Sequence, residues 1–171
     1  MKEFKIGITF LTVIGVLYFT IVNSSVTDIS EPLNLIYKVE DKEVKHIVDK
    51  FFRDLNNHGL NPVISEKFII ELKSLDSYKT TSHVHGISLG KDDENLVEIY
   101  INSNSWDSFN KTQKYYIIYH ELSHDVLNLN DLSENKSNFG KIMYPNMSVY
   151  NNLDMNDFID NMNELFSSFK I

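Results

Sequence analysis

The 171-residue chain has no cysteine, no alanine and a single arginine, Arg53. Without cysteine there is no disulfide framework, no thiolate zinc site, no cysteine nucleophile and no lipid-modified cysteine near the N-terminus. Any metal site must therefore be built from histidine, aspartate and glutamate. Basic residues are scarce too: 16 Lys and Arg stand against 24 Asp and Glu, a formal charge of −8. An acidic chain offers no electrostatic footprint for a phosphate backbone, which argues against a nucleic-acid partner. The missing alanine and the abundance of asparagine read as a coding bias and point to no function. What is present, 42% hydrophobic and 23% charged residues, describes one globular domain with a buried core.

The N-terminus departs from that average. Lys2 and Lys5 precede an uncharged run from Ile6 to Val22, and the next charge is Asp28. These seventeen apolar or small residues fall between a secretory signal and a single membrane span. A buried amphipathic helix would need a polar stripe, and only Thr9, Thr12 and Thr20 interrupt the run. Lysines before it, with Asp28 and Glu31 after it, predict an N-terminus inside and the remainder exported: periplasmic, extracellular or anchored to the membrane. Asn23-Ser24-Ser25 offers small residues but no Ala-x-Ala, so both a cleaved signal and a retained anchor fit residues 1–27. That segment holds two lysines and one glutamate, which leaves the rest of the chain at −9.

Residues 28–39, with Pro32, read as a linker, and residues 40–171 as the folded domain. Val44, Ile47, Val48, Phe51, Phe52 and Leu55 recur at helical spacing, with Asp41 as a cap and Asn56 to Gly59 as a stop. Strand composition follows at Phe68–Leu75, Val84–Leu89 and Leu96–Asn102. Adjacency and short connections favour an antiparallel sheet, with parallel pairing to the first strand as the mixed alternative. Asn110 and Gln113 form a capping pair ahead of a second helix that runs to Leu127. Ile142-Met143-Tyr144-Pro145 is an apolar knot between polar loops, and Met155 to Phe169 is a last amphipathic helix. The order predicts an α+β domain: a small antiparallel or mixed sheet packed on the second helix and flanked by N- and C-terminal helices.

Inside the second helix stands His120-Glu121-Leu122-Ser123-His124. Histidines four apart project from one helical face, one above the other, as two ligands of a single tetrahedral ion require. Glu121 lies about 100° around the helix from His120, placed to face a water at the ion without ligating the ion itself. With this composition the pattern arises by chance in only ~1% of such chains, so the spacing carries weight against two incidental surface histidines. His83 and His85 alternate along a strand and share a face, as metal ligands, cleft lining or part-exposed strand residues.

This helix and its sequel, over roughly residues 96–145, resemble the metzincin-type zinc metallopeptidases. The likeness is nearest to small bacterial exported or lipoprotein-like metallopeptidases with a His-Glu-x-x-His helix and a methionine motif downstream. It implies a catalytic Zn2+ with three protein ligands and an open position. Where the family has a helix-breaking glycine this chain has Leu127, and where the family's third ligand falls it has Asn130. The next residue, Asp131, is anionic, a far better zinc donor and the expected third ligand.

In a continued helix Asp131 would sit roughly 10 Å up the axis from His124, so the helix must end near Leu127–Asn130. Asn128 and Asn130 tolerate the left-handed backbone of such a stop. Glu134, nearby in the loop, and Glu164, on the last helix, are the other candidate donors. Asp125 faces away, to orient a histidine or sit in solvent. Met143 takes the place of the family's methionine as an apolar floor, or is a plain core plug. Tyr144 and Tyr150 are candidate oxyanion donors, although Tyr144 follows Met143 directly where the family has one residue between. Leu96–Asn102 is the expected edge for pairing with an extended peptide.

These features imply a zinc-dependent metallopeptidase acting on a peptide or protein substrate, with Glu121 as general base. The alternative is an exported or membrane-anchored zinc-binding module without peptidase activity. A structural site has no need of Glu121, which weighs against it.

Overall fold

A computed structural model describes residues 37–62, 67–75, 84–93 and 96–169. The hydrophobic segment over residues 1–27 and His83 lie outside them. No described helix is long and apolar enough to cross a membrane.

Strand β1 (Tyr37–Val39) forms inside the stretch read as a linker. Three residues are too few to show a periodicity, and distant partners define the strand: Tyr37 sits opposite Phe68 and Val39 opposite Ile70. Helix α1 (Lys42–Asn57) follows, capped as its sequence predicts. The Asp41 carboxylate accepts from the Glu43 and Val44 N–H groups at 2.8 and 2.9 Å, satisfying two of the free donors at the helix start. Val44, Ile47, Val48, Phe51 and Leu55 are its buried face. The chain leaves through Gly59 at φ 77°, a conformation that disfavours any side chain.

Strands β2 (Lys67–Lys73), β3 (Gly86–Ser88) and β4 (Leu96–Asn102) complete a sheet of order β1-β2-β4-β3. β1, β2 and β4 run parallel and β3 alone is antiparallel, so the sheet is mixed. The domain is α+β. A parallel β1–β2 pair needs a crossover between its strands, and α1 supplies it.

The strand order corrects one expectation. Leu96–Asn102, expected at an open edge, is hydrogen-bonded to β2 on one side and β3 on the other. Its composition explains why: Val97, Ile99 and Ile101 are all buried, and a β-branched run of this kind suits the interior of a sheet. The edge falls instead to β3, three residues long, as natural edges often are.

A short helix, α2 (Ser103–Ser108), follows β4 directly. Helix α3 (Lys111–Leu127) then opens with the anticipated capping pair: Gln113 N–H to Asn110 Oδ1 at 2.9 Å, and Asn110 N–H to Gln113 Oε1 at 3.0 Å. α3 packs on β3 and β4 on one side and on α1 and helix α4 (Met155–Ser167) on the other. It is therefore buried from Tyr115 to Ser123 with no polar stripe. On the helical side Tyr119 meets Phe51, Phe158 and Phe166 at ring distances of 5.1, 4.8 and 6.2 Å. Each such ring contributes roughly 1.5–3 kcal/mol through burial, so α3 is held as a rigid post.

Candidate metal centre

The rigid post presents His120 and His124 on successive turns. The Nδ1 of His120 lies 2.9 Å from the Ile142 carbonyl and the Nδ1 of His124 lies 2.7 Å from the Leu129 carbonyl. A carbonyl only accepts, so each Nδ1 carries the proton and each Nε2 keeps a lone pair. Those two Nε2 atoms are 3.1 Å apart. Asp131 Oδ1 closes a triangle with them at 3.2 and 3.4 Å. Three lone pairs so placed repel unless a cation lies among them.

The dimensions fit a small ion. Tetrahedral bonds of 2.0–2.1 Å correspond to ligand–ligand separations of about 3.3–3.4 Å. The three observed edges, 3.1 to 3.4 Å, need only a few tenths of an ångström of adjustment. His120, His124 and Asp131 thus form a group that could hold a metal ion. Their electrostatics point the same way. Burial works against charge on both histidines, yet the Asp131 carboxylate beside them does most to raise both above the ordinary imidazole value. With a proton on either Nε2 in place of a metal, hydrogen bonds from the same two rings hold Asp131 well below the usual carboxylate range. The site attracts positive charge, which a proton supplies when no metal does.

Asp131 reaches the histidines because α3 stops where it does. Asn128 takes the left-handed conformation, φ 52° and ψ 39°, and the N–H groups of Asn128 and Leu129 both turn back to the Ser123 carbonyl. Asparagine tolerates this region better than most residues, so the helix stops at Asn128 without a glycine. The loop then reverses, and Leu132 N–H donates to the Met143 carbonyl at 2.8 Å.

The apolar knot is the counterpart of that loop. Ile142, Met143 and Tyr144 are buried. Ile142 aims His120 and Met143 secures the residue after Asp131, both through backbone carbonyls. Beneath them the Tyr150 hydroxyl lies 2.8, 2.9 and 3.4 Å from the carbonyls of Lys141, Tyr144 and Ile142. Its ring stacks on Tyr116 at 4.0 Å. Tyr150 is fully buried, so it is a clamp on this segment and not the oxyanion donor considered above. Tyr144 keeps that possibility, since it lines the cleft.

The cleft in front of the triangle encloses about 510 Å³ between β3, α3 and the loop carrying Asp131. Glu121 faces into it without joining the ligand group. Burial pushes its carboxyl above the ordinary range. Its side chain fills the space over Gly86, where a Cβ would stand 2.3 Å from Glu121 Oε1 and 2.8 Å from Cδ. No positive φ requires glycine there; the carboxylate does. Gly86→Ala should therefore displace Glu121 while the three ligands stay in place. The expected result is an unchanged metal content and, on the peptidase reading expected from the sequence, a turnover lowered by about 100-fold, the effect of roughly 1 Å of misplacement. Metal analysis beside steady-state kinetics reads both, and an undiminished kcat would show that the glycine is incidental.

The remaining candidates go elsewhere. Asp125 neither orients a histidine nor sits in solvent. Its carboxylate accepts from the Ser88 hydroxyl, the Glu98 N–H at 3.0 Å and the Gly90 N–H at 3.3 Å, which ties α3 to the β3–β4 hairpin. His85 lines the cleft with Nδ1 2.8 Å from Ser105 Oγ, outside the ligand group. Glu134 is exposed, and Glu164 pairs with Lys141 at 2.7 Å. Gly86, the clamping role of Tyr150 and the bracing role of Asp125 were not anticipated. Only the glycine carried a sequence signal, as a lone Gly within strand composition that marks a close approach.

Comparison with protein-family models, curated proteins and solved structures returned no match to this chain.

Proposed function

We propose that the chain is a zinc-dependent peptidase of metzincin-like type, working outside the cytoplasm. One observation carries the reading: three lone-pair atoms converge within 3.4 Å, and an uncoordinated buried carboxylate, Glu121, shares their cleft. Two imidazoles and one carboxylate, with a fourth position open to the cleft, suit catalytic zinc. The same trio serves iron in oxygen-using enzymes; Glu121, a base without a ligand role, favours hydrolysis.

When bound, zinc supplies Lewis-acid polarisation of a carbonyl and lowers the pKa of water to about 7. The chain's own residues do the rest. Glu121 takes a proton from the attacking water and delivers it to the leaving amine. Its burial favours the protonated form that delivery requires. Tyr144, which lines the cleft, is the candidate donor to the developing oxyanion. Among the described residues β3 is paired to β4 on one side only, and its other edge is offered to an extended peptide, the role expected of Leu96–Asn102. Export rests on the lysine-flanked apolar run at the N-terminus.

The test is incubation of the purified protein with an unfolded polypeptide. Cleavage should appear with zinc, stop with a chelator and return when zinc is restored. A zinc-loaded protein that leaves every polypeptide intact would favour the non-enzymatic metal-binding module.

A further inference from the structure

Lys91 is a charged group of the cleft that the metal centre does not use. It belongs to the turn after β3, where Asp93 N–H closes on the Gly90 carbonyl at 2.9 Å, and it lines the same cleft as Glu121 and Asp131. Its ammonium donates to Asn130 Oδ1, a neutral acceptor one residue before the ligand Asp131. Lys38, Lys45, Lys50, Lys114 and Lys141 each pair with a carboxylate. Among the described residues Lys91, like Lys42, Lys111 and Lys136, has no such pair, and of these four it is the one that lines the cleft.

Among the described residues Lys91 is also the only lysine or arginine lining the cleft. Glu121 and Asp131 are the carboxylates there, and a divalent cation between the histidines would balance those two charges. The Lys91 charge would then stand alone on the cleft wall, in surroundings that focus its field. It is held from both sides. Asn130 fixes the ammonium, and the Asp125 carboxylate pins the turn through the Gly90 N–H at 3.3 Å. A cation ordered before a ligand arrives loses little freedom on binding, so its charge goes into selectivity.

We infer that Lys91 makes this cleft selective for ligands carrying a carboxylate close to the bond at the metal centre. The word substrate applies to these ligands only through the peptidase reading above; the recognition itself does not depend on cleavage. The carboxylate has two possible sources, an Asp or Glu side chain or a free chain terminus. An ammonium next to Asp131 serves either.

The experiment uses zinc-loaded Glu121→Gln protein, which holds a peptide without cutting it, and three labelled peptides read by fluorescence anisotropy. One carries Glu at successive positions along a blocked chain, one has Gln at those positions, and one has Gln with a free C-terminus. The expected result is roughly tenfold tighter binding of a carboxylate peptide than of the blocked Gln peptide, the scale of one charge-assisted hydrogen bond at a part-exposed site. The preference should weaken with salt. It should vanish in Lys91→Met, reverse in Lys91→Glu and persist in Lys91→Arg. A preference for the blocked Glu peptide identifies the side chain as the source, and one for the free terminus identifies the chain end. Equal affinities, no binding at all, or a preference that survives Lys91→Met would overturn the inference. Parallel digests with the unsubstituted protein separate the two claims. Lys91-dependent binding without cleavage overturns only the peptidase, and cleavage indifferent to carboxylates overturns only the selectivity.

Discussion

Replacing Glu121 by glutamine should leave the zinc content of the protein unchanged and lower kcat/KM by roughly 10²- to 10⁴-fold, the contribution of a positioned general acid–base. The substitution is sterically quiet. Glutamine has nearly the volume of glutamate, so it fills the space above Gly86 in the same way. It removes no ligand, because the three converging atoms belong to His120, His124 and Asp131. What it removes is the one carboxylate among the described cleft residues that could accept a proton from water without giving up a place in the candidate ligand group. The stability of the metal-free protein supplies a control. Burial raises the Glu121 pKa, so the charged form is the costly one at neutral pH. A carboxyl raised in the folded state costs stability as pH climbs above its unfolded value, and the amide abolishes that loss. The variant should therefore unfold at a temperature no lower than the parent's. Loss of turnover with stability and zinc intact isolates the chemistry, and retained turnover would remove Glu121 from the mechanism.

The second large effect is expected at the third ligand. Asp131→Ala should weaken zinc binding by roughly 10²- to 10³-fold, about one quarter of the 10–16 kcal/mol typical of a four-coordinate zinc site. Asp131 is half exposed, so its removal costs the metal-free fold little, and the loss should appear chiefly in metal affinity. Thermal unfolding gives an independent reading. Saturating zinc raises the stability of the parent through mass action, and that increment should shrink in the variant at the same free zinc concentration. Glu134→Ala and Glu164→Ala are the controls. Glu134 is exposed outside the group and Glu164 is engaged with Lys141, so both should bind zinc as the parent does. Full affinity in Asp131→Ala, or a loss in either control, would transfer the ligand role.

The two residues at the heart of these predictions differ in how far the sequence exposes them. His120, Glu121 and His124 are legible because a helix converts sequence spacing directly into direction, and α3 is a long helix with a recognisable cap. Asp131 needed chemistry as well as spacing: the stop at Asn128 had to be inferred from the tolerance of asparagine for φ 52°. The edge strand was not legible. Strand order depends on pairing between distant segments, and Leu96–Asn102 and Gly86–Ser88 exchange places in the sheet without any change in their own patterning. The clamp by Tyr150 and the brace by Asp125 were hidden for the same reason. One acts through carbonyls 6 to 9 residues away and the other through a hairpin 27 to 37 residues away. Local patterns identify which residues can do chemistry. Tertiary hydrogen bonds decide how rigidly they are held.

That rigidity matters because a metal site tolerates little looseness. Each ligand here has its own support: the Ile142 carbonyl for His120, the Leu129 carbonyl for His124, and the Leu132–Met143 bond for the loop of Asp131. Supports of this kind set ring orientation and tautomer, and losing one typically costs 10- to 100-fold in metal affinity.

The most direct measurement is anomalous scattering at the zinc edge from crystals of the zinc-loaded protein. The account predicts one strong peak among His120 Nε2, His124 Nε2 and Asp131 Oδ1, about 2.0–2.2 Å from each, with open space toward Glu121. A peak on other side chains, or none at saturating zinc, would contradict it.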